Sequence, residues 1–173
     1  RDFWPEYVFK CGICGTTEGV LPVTEWNRGL CEKHLPRALE SRVFGTLRRR
    51  GMLQARERIG VAVSGGKDSA ALLAVMATLR RRMPFTLVAI HIDMGIGDYS
   101  RRCREAVEEL CRRYAVRLVV ERVADHDIEV KATGPWPVCA VCGGIRRALF
   151  PRIARRENLD AIATGHTMDD ILQ

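Results

Sequence analysis

Ser64-Gly65-Gly66-Lys67-Asp68-Ser69 gathers two adjacent glycines, two hydroxyls, a cation and a carboxylate into six residues. Adjacent glycines let the main chain come within contact distance of a ligand, and their N–H groups can converge on an anion. Lys67 adds a fixed positive charge suited to a departing phosphate, and Ser64 and Ser69 can donate hydroxyl hydrogen bonds. Asp68 can hold Mg²⁺ or cap a helix. The order differs from a Walker A loop, which needs four residues between its first glycine and Gly-Lys-Ser/Thr. The β-branched run Ile59, Val61, Val63 precedes the loop, and Ala70, Leu72, Leu73, Val75, Met76 and Leu79 follow at helical spacing. Strand, tight turn and helix therefore aim the positive end of a helix at the same anion.

Three further groups carry chemistry. Cys11-Gly-Ile-Cys14 and Cys31-Glu-Lys-His34 are two knuckles offering three thiolates and one imidazole, a closed tetrahedral set for Zn²⁺. Four protein ligands leave no open position, so the expected role is structural. Cys139-Ala-Val-Cys142-Gly143 precedes a basic stretch holding Arg146 and Arg147. Thiolates beside a helix start and cations are acidic and metal-prone, but two cysteines complete neither a zinc site nor a cluster, and a redox disulfide is the rival reading. Cys103 and Cys111 are expected on a helix, facing its core or surface. The third group sits at strand ends. His91-Ile92-Asp93 can meet a nucleotide through the Ile92 main chain, with Asp93 toward ribose or metal. Gly165-His166-Thr167-Met168-Asp169-Asp170 places two carboxylates at a helix start, suited to Mg²⁺ or proton handling.

These groups need a scaffold. Strand patterns at Ile59–Val63, Phe85–Asp93, Arg117–Val123 and Asp160–Gly165 alternate with helical ones, at 70–79, 100–114 and 142–158, and another helix begins at Thr167. Ser100 is the expected N-cap of the second of these. Such alternation predicts an α/β fold, a doubly wound parallel sheet, with ligands at the carboxyl ends of the strands where strand order reverses. All three strand-end motifs then line one crevice. The expected organisation is a zinc ribbon at 1–36, a basic linker helix at 37–57 and the catalytic domain at 58–173. Arg48, Arg49 and Arg50 in the linker can grip a phosphate backbone or simply form a solvated face.

With 173 residues and 47% hydrophobic content the chain can bury one real core plus a small appendage. A net charge of +7 and a pI near 9.3 favour a polyanionic partner. No apolar run is long enough for a membrane span and no signal-peptide core is evident, so no membrane partner and a cytoplasmic location are expected. Seven cysteines, four of them in CxxC pairs, fit metal sites better than a secreted disulfide framework. Arg1 at the start and Gln173 within a helical pattern lead us to expect a chain cut at both ends.

SGGKDS, HIDMGIGDYS, CAVCG followed by two arginines, and GHTMDD, in this order behind a CxxC/CxxH ribbon, resemble the tRNA 2-thiolation enzymes of the PP-loop ATPase family. The resemblance spans most of the chain. It implies a Rossmann-like PP-loop fold and adenylation of a uridine or thymidine C2 carbonyl by ATP with Mg²⁺, followed by replacement of the oxygen with sulfur. ATP-site residues carried over are Ser64, Gly65, Gly66, Lys67, Asp68, Ser69, His91, Ile92, Asp93, Gly165, His166 and Asp170. It also implies a [4Fe-4S] cluster held by three cysteines, of which Cys139 and Cys142 match two, and Lys67 and Asp169 as further catalytic residues. The family's third cluster cysteine and its C-terminal zinc ribbon lie past Gln173. Implied partners are tRNA, whose phosphate Arg146 and Arg147 can steer if they do not steer the nucleotide, and a sulfur donor, either a ubiquitin-like thiocarboxylate protein or a sulfide source. A homodimer is a candidate assembly.

Rival readings remain at this level. A lysidine-forming relative has no need for Cys139 and Cys142, and the N-terminal knuckles argue against a 2-thiocytidine type. A small-molecule sulfur transferase would make the basic surface incidental. A zinc-ribbon RNA-binding module with a vestigial ATP site is opposed by the intact Lys67, Asp68, Asp169 and Asp170.

Overall fold

The computed structural model describes residues 9–23, 28–128, 130 and 138–166. The chain divides into two compact units between Met52 and Leu53.

In the first unit, β1 (Val20–Val23) pairs antiparallel with β2 (Arg28–Cys31), Val20 opposite Cys31. Helix α1 (Leu35–Arg49) follows at once, with Pro36 in its first turn, where a missing N–H costs nothing. Cys11, Leu30 and Cys31 are the buried residues here, with Val20, Val23, Leu35 and Ala38 packed around them. None of the α1 residues is fully buried. So small an apolar core stabilises little by itself.

The second unit runs β3 (Arg58–Ala62), α2 (Lys67–Leu79), β4 (Thr86–Asp93), α3 (Gly97–Tyr114), β5 (Arg117–Arg122), a 3₁₀ turn at Val123–His126, α4 (Val138–Arg156) and β6 (Ala161–Ala163). The four strands lie in the order β5-β4-β3-β6, all parallel, as expected from the alternating pattern. Both faces of the sheet are covered, so β4 is buried continuously from Leu87 to Ile92 rather than at every second residue. Val88, Ile90, Ile92 and Met94 point to one face and meet Cys142, Ile145, Leu149 and Ile153 of α4. Those four recur every three or four residues, a single helix stripe. Leu73, Met76 and Leu79 form the buried stripe of α2. On α3, Val107 and Cys111 face inward, and burial pushes the Cys111 thiol up to about 11. Cys111 is therefore an apolar core residue.

Three boundaries differ from those read in the sequence. Helix α4 starts at Val138, a turn before Cys142, so Cys139 lies in the helix rather than ahead of it. Helix α3 starts at Gly97, and Ser100 is not its N-cap. Instead the Ser100 hydroxyl reaches back from the first turn to accept the N–H of the N-cap residue Ile96 at 2.9 Å, in the manner of the backward half of a capping box. Strand β6 spans only Ala161–Ala163. The Asp160 carboxylate is held on the Arg58 N–H at 2.7 Å, and from Thr164 the chain turns into the crevice.

Glu121 near the end of β5 accepts from Arg156 at 2.6 Å and shares a 2.8 Å hydrogen bond with His126. The Arg156 guanidinium holds its carboxyl below the usual range, burial opposes this, and His126 adds to the lowering. A depressed folded value contributes stability above the unfolded value of 4.5 that fades as pH falls through the folded one. Glu121→Gln should therefore cost about 1 kcal/mol at pH 7. The gap between the two melting curves should close on acidification below that value, and a pH-independent gap would contradict the assignment.

Candidate functional site

Strand order reverses between β3 and β6, because the chain builds β4 and β5 on one side of β3 and then crosses to place β6 on the other. A crevice opens there at the carboxyl ends of the strands. The loop after β3 and the turn after β6 form its rim, and Ser64, Gly66, Asp68, Ser69, Thr164, Gly165 and His166 line it.

The loop is closed by its own hydroxyls. Ser69, buried at the third position of α2, donates to the Gly66 carbonyl at 3.0 Å and accepts the Ser64 N–H at 3.1 Å. That leaves the Ser64 hydroxyl to donate to Ser69 Oγ at 3.1 Å while accepting the Gly66 N–H at 3.3 Å. Both serines thus shape the loop in this structure, where the sequence offered their hydroxyls to a ligand. The first intrahelical bond of α2 is Ala70 N–H to Gly66 O, so the N–H groups of Lys67, Asp68 and Ser69 have no helical acceptor and form the positive end of α2. Lys67 is exposed at the first helical position.

Two glycines seat the loop by having no side chain. Gly65 has φ +90°, and a Cβ there would stand 3.0 Å from the Cys103 Cα and 3.1 Å from its carbonyl oxygen. Gly165 touches the start of α2, where a Cβ would come within 3.0 Å of the Ser69 nitrogen. The turn after β6 is therefore pressed directly onto the loop.

The opposite wall brings in α3 and α4. Tyr99, Ser100 and Cys103 of α3, with Arg146 and Phe150 of α4, line the same crevice. A hydrogen bond with Cys103 pushes the Tyr99 phenol up. Sequence reading missed Tyr99 and Phe150 and left Cys103 to core or surface. The available signal was that residues four apart share a helix face, so Tyr99 and Cys103 belong together. His91 and Ile92 of β4, and Met94 just beyond it, also line the crevice. Asp93 turns elsewhere, its Oδ1 accepting the Gly95 N–H at 3.0 Å. Arg147 lies back along α4 over Gly143. Asp169 and Asp170 lie outside the described residues, as does the Cys139 side chain. Cys142 is buried in the apolar layer between β4 and α4.

The first unit brings the four knuckle residues together. Cys31 Sγ is 3.2 Å from His34 Nδ1 and 3.8 Å from Cys14 Sγ, and Cys11 Sγ is 3.5 Å from His34 Nδ1. All four donor atoms fall within 4.8 Å of one another, a set that could hold a metal ion. Burial pushes the Cys11 thiol up, but N–H groups from Cys31, Cys14 and Ile13 outweigh it and bring the thiol down to about 5. Arg48, Arg49 and Arg50 are exposed at the end of α1.

A tRNA-5-methyluridine(54) 2-sulfurtransferase of Pyrococcus horikoshii is 34% identical over 165 residues, which are 93% of this chain and 51% of the relative. A tRNA-cytidine(32) 2-sulfurtransferase of Geotalea uraniireducens is 31% identical over 83% of this chain and 57% of its own. In structure the chain is similar to the U34-tRNA thiolase NcsA from Methanococcus maripaludis, solved with its [4Fe-4S] cluster: TM-score 0.82 at 24% identity, covering 95% of this chain and 55% of that one. The chain spans about half the length of the curated relatives it matches. The model of the PP-loop domain matches residues 37–173, and the chain belongs to that family.

Proposed function

We propose that this chain carries the nucleotide half of an ATP-dependent tRNA 2-thiolation enzyme. The supporting observation is the shared crevice. Arg146 and Phe150 of α4 line the same cleft as Ser64, Gly66 and Ser69, so the helix bearing Cys139 and Cys142 forms a wall of the phosphate site. The two sulfurtransferase relatives support tRNA as substrate, and the +7 charge suits it.

In this reading ATP is a substrate whose phosphates lie against the free N–H groups at the start of α2, with Mg²⁺ near Asp68 and the Asp169-Asp170 pair. The carbonyl oxygen at C2 of the target base attacks the α-phosphorus, and pyrophosphate leaves toward Lys67. Arg146 is the cation on the opposite wall and orients phosphate or tRNA backbone. AMP is then the leaving group for incoming sulfur, and C2 exchanges a C–O bond for a C–S bond. Cys139 and Cys142, one helical turn apart in sequence, would supply two of the thiolates that a [4Fe-4S] cluster requires. Such a cluster, when bound, would hold and present the sulfur atom. Ile92 offers its main chain to the adenine, and Gly165 and His166 close the phosphate side.

At the knuckles, Cys11, Cys14, Cys31 and His34 fit Zn²⁺: ligands at about 2.3 Å from a tetrahedral ion stand about 3.8 Å apart. Arg48, Arg49, Arg50 and Arg147 are further candidates for tRNA contact. The sulfur donor is a thiocarboxylated ubiquitin-like protein or a sulfide source, and the assembly a homodimer. No helix among the described residues is long and apolar enough to cross a membrane, in keeping with a cytoplasmic location.

The test is anaerobic iron-sulfur reconstitution of the full-length protein, incubation with tRNA, ATP and sulfide, and mass spectrometry of the nucleosides. A 2-thiouridine or 2-thio-5-methyluridine that appears only with ATP is expected. A 2-thiocytidine would shift the target base, and no thiolated nucleoside from protein with an intact chromophore would overturn the proposal. Cys139→Ala should lose the iron-sulfur absorbance and keep the zinc at Cys11, Cys14, Cys31 and His34.

A further inference from the structure

We infer that His91 is a positioning residue for the phosphate loop, holding the Val63 carbonyl that leads into Ser64. The inference rests on the ATP reading above and concerns how the loop is kept ready for the nucleotide.

The β3–β4 register ends at Ala62 opposite Ile90, and one further bond runs from the Val63 N–H to the Ile90 carbonyl at 2.8 Å. Strand β4 continues to Asp93, but the chain after Val63 must leave the sheet to make the loop. Val63 is 2% exposed, so its carbonyl cannot turn to water. A buried carbonyl left without a partner is destabilising. His91 Nδ1 lies 2.8 Å from that oxygen. A carbonyl only accepts, so Nδ1 carries the hydrogen and donates.

The other ring nitrogen gives the argument its weight. His91 is 3% exposed, and its Nε2 is a buried side-chain nitrogen with no hydrogen-bond partner among the described residues. A buried imidazole with one idle polar atom is a poorer filler than the Leu, Val and Ile around it on β4. Its neighbours at Ile90 and Ile92 point to the α4 face, so by strand alternation His91 lies on the face covered by α2 and α3. There the ring's one hydrogen bond fixes the peptide from which the loop departs. What explains a histidine at this position is the Val63 bond.

Three variants separate the ring's two nitrogens. Asn places an amide N–H near Nδ1, Gln places its amide near Nε2, and Leu fills the space without a donor. ATP binding by the full-length protein is measured by calorimetry, below the melting temperature of each variant. His91→Asn should bind within about threefold of wild type, while His91→Leu and His91→Gln should bind about tenfold more weakly. Equal affinity in all three variants would overturn the inference, as would rescue by Gln but not Asn. If His91→Leu fails to fold, the Asn–Gln contrast decides. A wild type that does not bind ATP would remove the ATP reading itself, an outcome distinct from loss in the variants alone.

Discussion

Replacing Cys31 with serine should cost the N-terminal unit its fold and leave the parallel sheet standing. Cys31 is buried, pairs opposite Val20 at the end of β2, and comes within 3.8 Å of both Cys14 and His34. A serine oxygen is harder and shorter in reach, and cannot replace a thiolate in such a set. The buried hydrophobic residues described in this unit are Cys11, Leu30 and Cys31, so two of the three belong to the set that could hold a metal. Structural zinc sites supply about 10–16 kcal/mol of apparent binding free energy to small domains, which is then folding free energy. Bound zinc should fall by one per chain, and limited proteolysis should cut within the first 52 residues while β3 to β6 stay protected. Cys111→Ser changes an equally buried cysteine outside the cluster and should keep its zinc. Full zinc content in Cys31→Ser would sink the metal reading.

Gly65→Ala should abolish tight nucleotide binding while the fold survives. At φ +90° an alanine is strained, and its Cβ would meet main-chain atoms of α3 at 3.0–3.1 Å. Neither partner can swing aside as a side-chain tip would. Strain of about 1–2 kcal/mol from the backbone conformation and about 1–3 from overpacking together correspond to roughly a hundredfold loss in ATP affinity, because the loop must move to relieve them. The neighbour provides the control. Gly66 has φ −84°, ψ 161° and an added Cβ would only approach the Ser64 hydroxyl at 3.4 Å. Gly66→Ala should therefore keep the loop seated on α3 and melt like wild type, whereas Gly65→Ala melts lower. Calorimetry for ATP binding, with circular dichroism melts for the fold, checks the pair, and equal melting of the two variants would contradict the steric account.

Much of the architecture was legible because its causes are local. Hydrophobic periodicity marked β3, α2, β4 and α3, and the Cys-x-x-Cys and Cys-x-x-His spacings brought four ligands together without knowledge of the hairpin between them. The loop also was legible, since adjacent glycines between a strand and a helix restrict what the main chain can do. The start of α4 was less so. The charged, proline-containing stretch up to Pro137 reads as loop, and nothing in Val138 to Val141 marks a helix start, yet α4 begins at Val138 rather than Cys142.

By itself, the sequence determined that a phosphate loop stands between a strand and a helix, that the sheet is parallel, and that Cys11, Cys14, Cys31 and His34 can close on a metal. Each follows from spacing along the chain. Only the tertiary structure decided what faces the loop. The crossing from β5 to β6 sets Gly165 against Ser69, over ninety residues away in sequence. The packing of α3 brings Tyr99 and Cys103 to Gly65, and α4 lays Arg146 on the opposite wall. It also decided which donors are already engaged: Ser64 and Ser69 bond to one another and to the loop, which would leave an anion the amides of α2. Such pairings depend on which strands are neighbours and on which polar groups satisfy each other first, and neither has a period that can be read along the chain.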